Sequence, residues 1–131
     1  PVGAEPYGVA SDGRHVWVTN AHSNSVTEVD ASSGAVVQTI PVDSQPERVS
    51  VDDHYVWVTN SFSNEVTQLS SADGSLIRRI PVAGTTNYGP VSIYSDGTGA
   101  WVTDVGANTV TEINAVWLFS VDTRGLLSTR T

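Results

Sequence analysis

The chain has 131 residues, with 14 acidic side chains against 6 basic ones that are all arginine, for a net charge of −8. At 39% hydrophobic and 15% charged it is too apolar to stay unfolded, and its apolar runs are too short and interrupted to span a membrane. The acidic balance repels nucleic-acid phosphates and anionic bilayers, and the lack of cysteine removes disulfides, thiolate metal sites and a cysteine nucleophile.

Taken in chain order, the sequence opens at Pro1 with neither an initiator methionine nor a leader-like segment, and it reads as an excerpt from something longer. Polar and apolar residues then alternate over short runs rich in Val, Thr, Tyr and Trp, which is the period of strands and not of helices. The first strand is predicted over Tyr7 to Ser11. Asp12-Gly13 then supplies the positive φ angles of a tight turn into a second strand, His15 to Asn20. Asn24 stands where a turn wants a residue tolerant of the left-handed region. A third strand follows at Ser25 to Asp30, the turn Ser32-Ser33-Gly34 ends it, and a fourth covers Ala35 to Val42. Four strands joined by short turns make one antiparallel meander.

The same unit then returns. HVWVTNAHSNSVTEVDASSGAVVQTI, His15 to Ile40, is matched without a gap by YVWVTNSFSNEVTQLSSADGSLIRRI, Tyr55 to Ile80, and Pro1-Val2 recurs as Pro41-Val42 and Pro81-Val82. Asn64 and Asn108 take the place of Asn24, and Asp73-Gly74 that of Ser33-Gly34. A period near forty residues with four strands is the mark of a β-propeller blade, whose apolar faces are hidden only against neighbouring blades. The expected fold is therefore all-β, a single propeller segment of three four-stranded blades at 1–40, 41–80 and 81–131. Trp17, Trp57 and Trp101 occupy equivalent positions and are expected to fill the spaces between blades.

The third copy departs twice. Between Val82 and Pro90 it carries AGTTNYG, four residues longer than the matching stretches, so a longer connecting loop is expected. After Asn114 the glycine turn gives way to AVWLFSVDTRGLLSTRT, in which WLFSVD, a turn at Thr123-Arg124-Gly125 and LLSTRT form a further hairpin on one reading. On the other, the segment from Ala115 to Thr131 is a non-native tail, such as a change of frame would produce.

The recurring VWVTN, followed by SVTEVD and a glycine turn before VVQTIPV, resembles the YVTN family of β-propeller repeats over Pro1 to Asn114. That resemblance implies a ring of six to eight blades, an extracytoplasmic or surface-attached setting and few shared catalytic residues. The pattern is also similar to the lyase propellers that open streptogramin rings, although no acid and histidine cluster matches theirs.

The chemistry-bearing residues are sparse. His15, His22 and His54 lie at nonequivalent points of the repeat, so symmetry builds no ring of metal ligands. His15 and His54 are expected to be solvated, and His22, in the loop between second and third strands, is the one placed for function. There is no G-x-S-x-G elbow, no phosphate-cradling glycine loop ahead of a helix, and Asp12-Gly13, Asp52-Asp53 and Asp96-Gly97 lack the alternating ligands of a calcium loop. Neither a catalytic constellation, a metal nor a cofactor is assigned. What remains is a loop rim, to which Asn20, His22, Asn60, Phe62, Tyr88 and Asp104 are predicted to contribute a ligand-binding surface, with the competing reading that Asn20, Asn60 and Asp104 only terminate strands. Phe62 is an apolar ring in a polar loop, which invites a covering partner.

The leading functional expectation is a non-catalytic interaction or scaffold module that binds a protein or glycan through this rim. The alternatives are a lyase-type enzyme using His22 as acid or base, and a propeller fragment notable only for folding and assembly. Because closed propellers have about four to eight blades, the expected partner is a second copy, two chains making one six-bladed ring with Trp117 to Val121 in the seam.

Overall fold

The computed structural model describes residues 1–82 and 88–115, and residues 127–130 as backbone. Its elements are twelve strands: β1 (Pro6–Ser11), β2 (His15–Asn20), β3 (Ser25–Asp30), β4 (Val36–Pro41), β5 (Pro46–Val51), β6 (Tyr55–Asn60), β7 (Glu65–Ser70), β8 (Leu76–Pro81), β9 (Pro90–Ser95), β10 (Gly99–Asp104), β11 (Thr109–Asn114) and β12 (Leu127–Arg130). They form three antiparallel sheets in the orders β1-β2-β3-β4, β5-β6-β7-β8 and β9-β10-β11-β12, and no helix occurs among the described residues. The predicted meanders are thus all present. The first strand starts one residue earlier than expected, and the fourth is shortened at both ends.

Register repeats with the sequence. Asn20 pairs with Ser25 and Asn60 with Glu65, while β1 and β5 carry the same irregularity, between Pro6 and Val9 and between Pro46 and Val49. The last segment, where the glycine turn is lost, still supplies a fourth strand, because Leu127 to Arg130 pairs with Ile113 to Val110. The rest of the expected hairpin, including Trp117 to Val121 and the turn at Thr123, lies outside the described residues, as does most of the lengthened loop at 83–87.

Turn chemistry follows the side chains. Asn24, Asn64 and Asn108 hold φ of 50°, 54° and 56°, and Gly34 and Gly74 hold 72° and 74°. In the β1–β2 turn only Gly13 is left-handed, at 92°; Asp12 instead accepts the backbone N–H groups of Arg14 and His15 on Oδ1, at 2.8 and 2.7 Å. A short carboxylate caps such a turn without leaving the right-handed side of φ. Glu5 and Gln45, which the repeat pattern did not mark, are also left-handed, at 55° and 58°.

The core lies between the blades. One cluster joins Trp17 and Val26 of the first blade to Val49, Val56, Val58 and Leu69 of the second. The other joins Trp57, Val66 and Ile80 to Ala100, Val102 and Ile113 of the third. Trp17 and Trp57 therefore pack forward onto the next blade, and the threonine two residues later bonds in the same direction: Thr19 Oγ1 donates to the Glu47 carbonyl at 2.9 Å and Thr59 Oγ1 to that of Val91 at 3.3 Å. At the periphery, Gln38 Nε2 donates to the Asp73 carbonyl at 2.8 Å and Arg78 Nη2 to that of Asn114 at 2.6 Å, stapling the outer strands. Trp17 and Trp57 are fully buried, as expected, but Trp101 is only half-buried. The difference is positional: Trp101 belongs to the third blade, against whose forward face no further blade packs among the described residues, and Thr103 is exposed beside it.

Candidate functional site

Two kinds of loop meet at one end of the blades. Those between second and third strands receive paired backbone hydrogen bonds from those that enter each blade. Ala21 and His22 donate to the carbonyls of Glu5 and Ala4, Ser61 and Phe62 to those of Gln45 and Ser44, and Val105 and Gly106 to those of Gly89 and Tyr88. Neighbouring blades are tied as well, through Gln45 N–H to Asn24 Oδ1 at 3.0 Å and Gly89 N–H to the Ser61 carbonyl at 3.3 Å. All six predicted rim residues sit on this end.

Their side chains divide into two groups. Asn20 and Asn60 are fully buried and their amide nitrogens donate inside the blade, Asn20 Nδ2 to the hydroxyls of Ser25 and Thr27 at 3.1 and 2.9 Å and Asn60 Nδ2 to that of Thr67 at 2.7 Å, while Oδ1 of each is buried without a hydrogen-bond partner. Asp104, also buried, accepts the Ala107 N–H at 2.8 Å and closes its own loop. These three end strands and set the loops above them. His22, Phe62 and Tyr88 face outward, Phe62 with 57% and Tyr88 with 72% of its surface exposed.

Three more residues join them that the repeat did not point to. Val105 is exposed in the third blade's loop, and Tyr7 lies at the entrance of β1 with the Arg48 guanidinium 4.8 Å above its ring. That stack holds a cation over an aromatic face across the first two blades. The pair differs between copies, Glu47 and Gly8 standing at the registers of Tyr7 and Arg48, so periodicity gives no warning of it. A distinct residue at a repeated strand position next to the axis was the available signal.

The opposite end carries the β1–β2 and β5–β6 turns and a cleft of about 460 Å³ lined by Asp12, Arg14, His15, Asp53, Ser71 and Ala72. His15 is not solvated there as expected: it is half-buried, with Nδ1 3.6 Å from the buried Glu28 carboxylate and 4.0 Å from Asp12. Glu28 also accepts Gln38 Nε2 at 2.6 Å. The second blade builds the same cross-strand row from other side chains, with Arg78 Nε donating to Gln68 Oε1 at 2.5 Å, so the row braces the sheets. His54 is exposed. Among the described residues no three histidine or acidic side chains are grouped to hold a metal ion.

No protein-family model and no curated protein sequence matches the chain. Solved structures do. The hydrazine synthase of Kuenenia stuttgartiensis superposes with a TM-score of 0.75 at 27% identity, over 87% of this chain and 34% of that one. The virginiamycin B lyase of Staphylococcus aureus, solved with quinupristin, gives 0.74 at 18% identity, over 95% and 40%. The WD40 repeats of RRP9 give 0.73 at 10% identity, over 86% and 37%. The fold is a β-propeller array. The chain spans well under half the length of these propellers, and they include both lyases and repeat proteins of the WD40 kind, so likeness of fold leaves the activity open.

Proposed function

We propose that this chain is a YVTN-type propeller segment acting as a non-catalytic binding module, whose loop rim takes a protein segment or a glycan. The recurring VWVTN and its turn residues support the repeat type. The binding reading is carried by one observation: Phe62 and Tyr88 expose their rings on loops whose backbones are hydrogen-bonded to one another and to the next blade. Two aromatic surfaces on a braced frame offer contact area at little cost in ordering, which is how stacking sites for sugars and anchoring side chains are built. The Tyr7–Arg48 stack adds a fixed positive group on an otherwise acidic molecule.

The test is a screen of the purified chain against immobilised glycans and peptides, repeated with Phe62→Ala combined with Tyr88→Ala. Ligands of the wild-type chain should lose at least tenfold in affinity, about 1.4 kcal/mol, with the melting temperature unchanged. Equal binding by both proteins would remove the rim from the mechanism.

A further inference from the structure

One buried strand-end position is chemically different in the third blade. Asn20, Asn60 and Asp104 share a register, and in the first two blades the side chain there is an amide that donates to hydroxyls of the neighbouring strand: Asn20 to Ser25 and Thr27, Asn60 to Thr67. Thr109 and Thr111 stand at the registers of Ser25 and Thr27, but the carboxylate of Asp104 has no proton to give them. Both threonine hydroxyls are buried without a hydrogen-bond partner, and so is Asp104 Oδ2. The other Asp104 oxygen accepts the Ala107 N–H, and among the described residues no ion pair reaches this carboxylate, although Asp104 is only 3% exposed. Across the boundary, Asn64 Oδ1 of the second blade is a further buried acceptor without a partner. It lies against Gly89, where a Cβ would collide with it, and the next residue, Pro90, pairs with Asp104.

We propose that this corner, at the rim end of the boundary between the second and third blades, binds a calcium ion through Asp104, Thr109 and Thr111. A buried carboxylate oxygen without a counter-charge is costly, far more so than the neutral amide oxygens of Asn20 and Asn60. Water gives no relief, because these oxygens are sealed from it. A bare cation fits where water does not, since oxygens approach calcium at about 2.3–2.6 Å, closer than the roughly 2.8 Å of a hydrogen-bonded water. The donors are all oxygen, one charged and the others neutral, which selects a hard cation over zinc or copper. Magnesium fits less well, because it demands near-octahedral geometry and gives up its own water reluctantly. Asn64 Oδ1 is the candidate for a fourth oxygen, from the second blade, so that the ion ties two blades together. With a single carboxylate the affinity is low, at dissociation constants of about 0.1–1 mM.

The whole chain, stripped with a chelator and titrated with calcium chloride at constant ionic strength, should show a saturable rise in melting temperature with a midpoint of about 0.1–1 mM, which magnesium chloride does not match. Asp104→Asn restores the amide of the other two blades. It should fold with the same sheet spectrum, melt at least as high as the stripped wild type and lose the calcium response. Thr111→Val keeps the carboxylate and removes one oxygen, and should raise the midpoint by about tenfold. Asp53→Asn removes an exposed carboxylate at the opposite end and should respond as the wild type does, which separates the site from general screening of an acidic surface. A wild-type melting temperature indifferent to calcium, a response that survives Asp104→Asn, or one that Asp53→Asn abolishes equally would overturn the site.

Discussion

The threonine of the VWVTN repeat illustrates how one side chain fixes the relation between sheets. Thr59 is fully buried; its hydroxyl receives the Arg48 N–H at 3.1 Å inside its own blade and donates to the Val91 carbonyl at 3.3 Å in the next. Valine at this position has nearly the same shape, so the loss on Thr59→Val is confined to two backbone groups left without their partner. Thermal or urea unfolding should register about 1–3 kcal/mol of destabilisation; a neutral result would mean that water reaches the seam. Trp57 presents the complementary apolar case. It lies between blades with no exposed surface, edge-on to Tyr55 at 5.7 Å, with its indole N–H on Asp52 Oδ2 at 3.2 Å. Trp57→Ala should cost about 3–5 kcal/mol, since a cavity of that size between two stiff sheets collapses poorly.

At the level of the turn and strand, the aspartates of the polar loops act as capping groups and make the fold sensitive to acid. Asp30 accepts the hydroxyl of Ser32, the N–H and hydroxyl of Ser33 and the N–H of Ser32, which together hold its pKa near 2, below the usual 3.8. The hydroxyl of Ser75 lowers Asp73 in the same way, and that of Thr98 lowers Asp96. A carboxylate whose pKa falls on folding contributes stability that is complete above its unfolded pKa and is lost as pH drops toward the folded value. Glu65 works in the opposite sense, raised by burial and then by Asp43, so its share is present at low pH and fades as pH rises through its folded value. Three caps outweigh one strained glutamate, and the midpoint of urea unfolding should fall between about pH 4 and pH 2; Asp30→Asn should flatten that slope. An acid-insensitive midpoint would deny the caps a role. These turns were largely legible in the sequence, because Asn24, Asn64 and Asn108 mark left-handed positions by residue type. Asn108→Gly should accordingly be neutral, and Asn108→Val should cost about 1–2 kcal/mol in the same assay. Glu5 and Gln45 were not legible: nothing in a glutamate or glutamine announces φ near 55°, which here is imposed by the hydrogen bonds of the rim loops.

Across the whole molecule, stability should be distributed by the number of neighbours each blade has. The period identified the blades and the buried tryptophans, but it could not say which copies of a repeated residue end up covered; that depends on rank in the array, which is why Trp101 differs from Trp57 at the same repeat position. Register within the repeat, and not rank, separated the rim residues, since Asn20, Asn60 and Asp104 share a buried strand-end position in all three blades while Phe62 and Tyr88 lie exposed on loops. Among the described residues the second blade has both faces packed: every residue of β6 is buried, as are Val66 to Leu69 in β7. In the first blade β2 keeps Val16 and Val18 partly open, and in the third β10 leaves Thr103 exposed. Opening a terminal blade breaks one interface, whereas opening the middle one breaks two, and in a linear array of repeats such interface terms dominate local stability. Hydrogen exchange on the single chain, at dilutions where light scattering finds no association, should therefore be slowest in Tyr55–Asn60 and Glu65–Ser70, with His15–Asn20 and Gly99–Asp104 faster by the free energy of one interface. Uniform exchange across the three blades would mean that the array opens as one unit and that neighbour number does not set its stability.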